Sequence, residues 1–122
     1  MESTYYQNIY DYIDPTLPEN WQRIVLYAAF RDESCEIKYY VKTDKYIDCF
    51  ILTDDHKNLL QIMRSLYQTI SDERNNFDTN EKWKLITVII ESDGTVNSYF
   101  DYSDDFWQNP KFMDQWTHSY LI

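Results

Sequence analysis

The only glycine of this 122-residue chain lies at position 94, between two segments that both favour β-strands. The segment before it, residues 83–90, consists mainly of β-branched residues and leucine, and residues 96–102 resume the pattern after Ser-Asp-Gly-Thr. An Asp-Gly pair between two β segments predicts a two-residue hairpin turn with positive φ. A single glycine also excludes a Gly-rich phosphate loop, a dinucleotide-binding fingerprint and a G-x-S-x-G nucleophile motif. We therefore expect an antiparallel hairpin and none of these nucleotide-binding or hydrolase signatures.

Hydrophobic periodicity predicts the remaining elements. Residues 3–13 carry tyrosine and isoleucine at helical spacing and end at Asp14-Pro15, because a residue before proline avoids the α region. Residues 21–31 are apolar on both parities, which predicts a strand covered at least in part on both faces, whereas residues 35–41 alternate and predict a strand with one buried face. The later segments are predicted as a short strand (46–52), a long helix opened by Thr53-Asp54-Asp55 (to about 75), a polar connection (75–80), a helical turn holding Phe106 and Trp107, and a helix after Asn109-Pro110.

These elements predict one α+β domain that spans residues 1–122. Their order is α-β-β-β-α-β-β-α, and no repeated βαβ unit indicates a parallel sheet. We therefore expect a five-stranded antiparallel sheet, connected as a meander, with the helices packed on one face. A chain of this length forms one compact domain, and its 43% apolar residues suffice for a core. The residues expected to hold that core are Trp21, Tyr39, Ile86, Val88 and Phe100.

Acidic residues outnumber basic ones, with 21 Asp and Glu against 11 Lys and Arg and a formal net charge of −10. A surface of this sign repels phosphate backbones, so we expect no direct binding to nucleic acid. The chain shows neither a basic and apolar leader nor an apolar run near the ~20 residues of a membrane span, so we expect a cytoplasmic protein without a membrane partner. Two cysteines without a CxxC motif suit a reducing compartment.

The residue types that most often catalyse or bind metal show no informative spacing. They are His56, His118, Cys35 and Cys49. We expect surface or capping roles for the histidines and buried, hydrophobic roles for the cysteines. The neighbouring carboxylates at 54–55 and 104–105 are each explained by the start of a helix. The sequence therefore predicts no catalytic residue, no metal site and no cofactor.

Acids and aromatic residues are concentrated in residues 91–105, a segment without lysine or arginine, and residues 1–20 also hold no base. On the strand in 91–105, the positions of Tyr99 and Asp101 are expected to face solvent and that of Phe100 to face the helices. Exposed tyrosines beside carboxylates are typical of an interface with a basic protein; the alternative is that the acids only keep the domain soluble. The residues predicted to bind a partner, called the predicted acidic surface, are Asp93, Tyr99, Asp101, Asp104 and Asp105.

Several stretches of the chain form a characteristic set: IYDYI, LPENWQRIVLYAAFRDESCEIKYYV, WKLITVIIESDGTVNSYFDY and a closing W-x-x-x-Y-L. The most characteristic element is P-x-x-W-x-x-I-x-L-Y, formed by Pro18, Trp21, Ile24, Leu26 and Tyr27. These stretches resemble the YezG-type immunity proteins, antitoxins of bacterial secreted toxins. The resemblance implies a non-enzymatic, cytoplasmic bacterial protein that binds and neutralises a cognate toxin, often a nuclease. We expect delivery of that toxin by contact-dependent or type VII-like secretion.

Two other interpretations stay open on the sequence. One is a small acidic adaptor or regulatory domain that binds another basic protein, because it shares every argument from composition. The other is a small hydrolase with an unrecognised carboxylate pair. We expect the free protein to be a monomer or a weak homodimer formed through an exposed sheet edge.

Overall fold

The computed structural model describes residues 3–32, 34–76 and 82–122. In chain order the elements are α1 (Ser3–Ile13), a 3-10 turn (Asp14–Thr16), β1 (Arg23–Arg31), β2 (Ser34–Lys42), β3 (Tyr46–Asp48), α2 (Cys49–Leu52), α3 (His56–Asn75), β4 (Leu85–Glu91), β5 (Val96–Asp101), α4 (Asp105–Gln108) and α5 (Phe112–Tyr120). The predicted α+β class, the five strands and the order of the main elements are confirmed.

The five strands form one antiparallel sheet in the order β3-β2-β1-β4-β5. The predicted meander is therefore wrong at one connection: after β3, the long helix α3 returns the chain to the far side of β1, so β4 pairs with β1. β1 is apolar on both parities and lies at the centre of the sheet, where Leu26 pairs with Tyr39 of β2 and Val88 of β4. A central strand has neighbours on both edges and cover on both faces, which is what this apolar sequence requires.

Helices cover both faces of the sheet, so the prediction that they pack on one face is wrong. The even-numbered residues of β1, such as Ile24 and Leu26, lie in a core cluster with α1 and α3. The odd-numbered residues, such as Val25 and Tyr27, lie in a second cluster with Trp116 of α5. Because both parities of β1 are apolar, the sheet needs a second layer of helices on the face opposite α1 and α3.

The predicted core residues divide by their position in the sheet. Tyr39, Ile86 and Val88 are fully buried, as predicted, and Trp21 is partly buried against the first cluster. Phe100 is 37% exposed, so its prediction as a core residue is wrong. The reason is that β5 is an edge strand, beyond which no further strand continues the layer.

The predicted third strand is shorter than expected and is followed by a short helix that was not predicted, and the long helix begins slightly later than expected. The predicted strand at 46–52 ends at Asp48. The Asp48 side chain accepts a hydrogen bond from the Phe50 amide at 2.8 Å and so caps α2, which begins at Cys49. The long helix begins at His56, because Asp55 caps it by accepting from the Asn58 amide at 3.1 Å. The part of the predicted polar connection from 77 to 80 lies outside the described residues.

The β4–β5 hairpin has a three-residue loop instead of the predicted two-residue turn. The Gly94 amide donates to the Glu91 carbonyl at 3.0 Å, and the Glu91 amide donates to the Thr95 carbonyl at 2.8 Å. Gly94 has φ +94°, whereas Asp93 is not among the described residues with positive φ. These features define a type I turn followed by a glycine bulge.

Replacing Gly94 with alanine is expected to lower the free energy of unfolding by about 1–2 kcal/mol, because a side chain at this φ strains the backbone. A Cβ at this position would have no heavy atom within 4 Å, so crowding adds nothing. Gly94→Asn is the control, since asparagine tolerates this region better than alanine and should lose less. Urea unfolding of the three proteins measures the difference, and equal stability would contradict the assigned backbone conformation.

Candidate partner-binding site

The predicted acidic surface is divided between the two ends of β5. Tyr99 and Asp101 lie on one face of this strand, and Asp104 and Asp105 follow at the start of α4. Asp93 lies in the hairpin loop before the strand, so the length of β5, about 17 Å, separates it from Asp101. The structure therefore brings four of the five predicted residues into one short stretch, called here the β5–α4 surface (Tyr99, Asp101, Asp104 and Asp105), and leaves Asp93 apart.

Local hydrogen bonds hold the carboxylates of the β5–α4 surface. The Asp101 Oδ1 accepts from the amide and from the hydroxyl of Ser103, both at 2.8 Å. The Asp104 Oδ1 accepts from the Lys84 ammonium at 2.8 Å, and Asp105 is exposed. Two of the three carboxylates are thus oriented by their own chain, and Lys84 offsets part of the negative charge.

The predicted solvent face of β5 is not bare. Tyr99 stays 47% exposed, but its ring centre lies 5.6 Å from that of Tyr120 of α5. A cleft of about 200 Å³ between β5 and α5 has Tyr99, Asp101 and Tyr120 on its walls. The prediction of an open face is wrong at this point because α5 covers the side of the sheet that was expected to be uncovered.

A larger concave feature lies at the other end of the hairpin, where α1 approaches the β4–β5 loop. This α1–hairpin groove has a volume of about 590 Å³. Its polar and aromatic lining residues are Tyr6, Gln7, Tyr10, Trp21, Glu91 and Ser92. None of these six residues was predicted to bind a partner, although Trp21 was predicted in the core and Glu91 belongs to the base-free segment 91–105.

Tyrosine, tryptophan and acidic side chains meet at this groove. The rings of Tyr10 and Trp21 lie 6.0 Å apart, and the Tyr10 hydroxyl donates to Asp14 Oδ1 at 2.8 Å. That hydrogen bond to a carboxylate raises the pKa of Tyr10. The Gln7 amide donates to Asp11 Oδ1 at 2.8 Å. The carboxylates of α1 and of the turn after it are thus fixed beside the groove.

On the hairpin side, hydrogen bonds fix two further carboxylates, of which Glu91 lines the groove and Asp93 lies in the loop next to it. Both oxygens of Glu91 accept from the guanidinium of Arg23, one of them at 3.0 Å. Asp93 Oδ1 accepts from the Thr95 amide at 2.9 Å, and hydrogen bonds from Thr95 lower the pKa of Asp93. Asp93 is therefore a carboxylate of the hairpin end that forms one wall of the groove, and it does not belong to the β5–α4 surface.

Known proteins resemble this chain over nearly its whole length. The sequence model of the family described as "Immunity protein YezG-like" matches residues 2–121. The chain belongs to this family. It is similar to Immunity protein YezG of Bacillus subtilis (strain 168), with 23% identity over 109 residues, which cover 81% of this chain and 72% of that protein. It is also similar to Immunity protein YezG of Bacillus spizizenii, with 24% identity over 110 residues, which cover 81% of this chain and 67% of that protein.

Membership in the YezG-like family gives the chain an immunity role. Immunity proteins bind a cognate toxin protein and are not enzymes, so the site of interest is a binding surface. At this level the family confirms the resemblance seen in the sequence.

The groups that most often carry chemistry lie apart from one another. His56 is exposed at the start of α3 and His118 is exposed in the last turn of α5. Burial raises the pKa of the Cys35 thiol to about 12 and that of Cys49 to about 11, so both stay protonated at neutral pH.

Within residues 3–32, 34–76 and 82–122, no three His, Cys, Asp or Glu side chains form a group that would hold a metal ion. In the same ranges, no helix is long and apolar enough to cross a membrane.

Proposed function

We propose that this protein neutralises a nuclease toxin in the bacterial cytoplasm by covering the basic surface with which that nuclease binds nucleic acid. The toxin would be a secreted protein delivered by contact-dependent or type VII-like secretion. The observation that carries the proposal is the base-free segment 91–105, which holds five carboxylates and the aromatic residues Tyr99, Phe100 and Tyr102. A formal net charge of −10 also favours a positively charged partner.

The β5–α4 surface has the acidic and aromatic composition of a surface that attracts a basic protein by long-range electrostatics. Tyr99 and Tyr102 expose ring area beside the carboxylates, and rings supply contact area at low entropic cost. Nucleases bind a polyanion and therefore present lysine and arginine, so an acidic protein is attracted to the surface that the substrate would occupy. Opposite fields of this kind accelerate encounter and make it sensitive to salt.

Neutralising Asp101, Asp104 and Asp105 together with asparagine is expected to slow association with the toxin about tenfold at low salt, with a smaller effect on dissociation. Asparagine retains a carbonyl that accepts the Ser103 hydrogen bonds, whereas lysine would lose them and would repel Lys84. The probe is the toxin domain encoded by the gene next to the one for this protein, and surface plasmon resonance at two salt concentrations measures both rates.

The control is a triple variant with the same change in charge elsewhere, in which Asp44, Asp54 and Asp72 become asparagine. These three side chains are exposed and lie outside the β5–α4 surface. The control should associate as fast as the wild type. Equal rates for the two triple variants would remove the β5–α4 surface from the interface. Failure of the wild type to copurify with that toxin domain would contradict the function itself.

A further inference from the structure

We infer that the α1–hairpin groove is a docking pocket for an arginine side chain of the toxin. This inference rests on the proposed function and adds to it a second contact region, at the opposite end of β5 from the β5–α4 surface. The two regions lie at the two ends of one edge strand. They face opposite sides of the sheet, because the groove lies on the α1 side and Tyr99 and Asp101 lie on the α5 side, so a basic partner contacts both by wrapping around the edge of β5.

The volume of the groove suits a side chain with its flanking backbone. About 590 Å³ falls within the range of pockets that enclose a small ligand. The walls come from α1 and from the β4–β5 hairpin, and α1 is tied to β5 by a hydrogen bond between the Tyr6 hydroxyl and Ser98. The groove is thus formed before a partner arrives, which lowers the entropic cost of binding.

The aromatic rings of the groove favour a planar cation. Tyr6, Tyr10 and Trp21 all line it, and the Tyr10 and Trp21 rings are tilted 40° to each other. A guanidinium attracts the negative face of an aromatic ring and also stacks on it, whereas an ammonium acts as a point charge. The aromatic walls of the groove therefore favour the binding of arginine over that of lysine.

The charge around the groove has the opposite sign to that cation. Asp11 accepts a hydrogen bond from Gln7 of the groove wall, and Asp14 accepts one from Tyr10. Asp93 lies in the chain between Ser92 and Gly94, which both line the groove. Among the described lining residues there is no lysine or arginine. The nearby Arg23 is held by both oxygens of Glu91, so its charge is already compensated. Glu91 is the one carboxylate among the described lining residues and is paired with Arg23, whereas Asp11, Asp14 and Asp93 flank the groove and form no ion pair with a described lysine or arginine, so the local field favours a cation.

Replacing Gln7 with arginine tests the pocket by placing the protein's own guanidinium in it. Gln7 is exposed on α1 and donates to Asp11 four residues later, so arginine can keep the same partner on the helix. The added cation should fill the groove and repel the toxin's arginine, raising the Kd for the toxin domain of the neighbouring gene about tenfold. Isothermal titration calorimetry measures the affinity.

Gln68→Arg is a closely matched control. Gln68 is an exposed residue of α3 whose amide donates to Asp72, four residues later, at 2.9 Å. The two variants therefore make the same substitution in the same local setting with the same change in net charge. Gln68→Arg should bind the toxin domain like the wild type, and both variants should keep the thermal midpoint of the wild type.

The outcomes separate this inference from the function on which it rests. A weaker complex for Gln7→Arg alone supports the pocket. Equal affinity of both variants, or an equal loss in both, overturns the pocket while the immunity function stands. If Gln7→Arg lowers the thermal midpoint, Ser92→Arg enters the groove from the exposed hairpin loop, and the same loss of affinity is required of it. If the wild type does not bind, the proposed function and the pocket both fail.

Discussion

Replacing Trp83 with alanine is expected to lower the free energy of unfolding by about 3–5 kcal/mol. The indole is fully buried, and its ring centre lies 5.5 Å from that of Phe30 and 5.8 Å from that of Phe100. The Arg74 guanidinium lies 5.6 Å from the same ring, and its Nε donates to the Trp83 carbonyl at 2.7 Å. Alanine would leave a cavity where β1, β5 and α3 meet and would remove one of the two rings that Arg74 contacts, the other being that of Phe30.

Urea unfolding followed by far-ultraviolet circular dichroism measures this loss, because that signal does not depend on a particular tryptophan. Trp107→Ala is the control, since Trp107 is a partly buried indole of α4 that donates to the Phe30 carbonyl at 3.3 Å. It should lose less than Trp83→Ala because less apolar area leaves water at that position. Equal losses in the two variants would contradict the central position of Trp83.

The order of the elements was predictable because it depends on local patterns. The alternation of β2 and the apolar positions of α3 are each visible within a single segment. Which strand pairs with β1 is not visible in that way. The pairing of Leu26 with Val88 joins residues that are far apart in the chain, and it follows from how α3 packs across the sheet. The meander was therefore the simplest prediction and was wrong at this connection.

The second layer of helices was only half predictable. The apolar residues of β1 on both parities indicated cover on both faces, which the structure confirms. The apolar positions of α5 indicated that this helix packs on something, but a helix pattern carries no information about which face of a sheet it covers. For this reason Tyr99 was predicted to face open solvent, whereas α5 lies against its side of the sheet through Tyr120.

The site shows the same division between local and distant information. A base-free segment can be read directly from residues 91–105, and this indicates an acidic surface. The separation of Asp93 from Asp101 follows from the straight strand between them. The α1–hairpin groove brings Tyr10 close to Glu91, and no local pattern links positions that are so distant in the chain.

Replacing Trp116 with alanine tests the second layer and is also expected to lower the free energy of unfolding by about 3–5 kcal/mol. Trp116 is 3% exposed, and its ring centre lies 5.1 Å from that of Tyr27 and 5.5 Å from that of Tyr120. Its Nε1 donates to the hydroxyl of the buried Thr87 at 3.0 Å. Alanine would open a cavity and leave that hydroxyl without this donor, and the two costs add.

Thr87→Val separates the hydrogen bond from the packing, because valine has the same shape without the hydroxyl. This variant should lose about 1–3 kcal/mol, the cost of leaving the Trp116 Nε1 without its acceptor in a buried position. Urea unfolding of both single variants and of the Trp116→Ala, Thr87→Val double variant completes a double-mutant cycle. The double variant should lose less free energy of unfolding than the sum of the two single losses. A loss below about 1 kcal/mol for Trp116→Ala would contradict the second layer, since a sheet covered on one face would leave this indole in water.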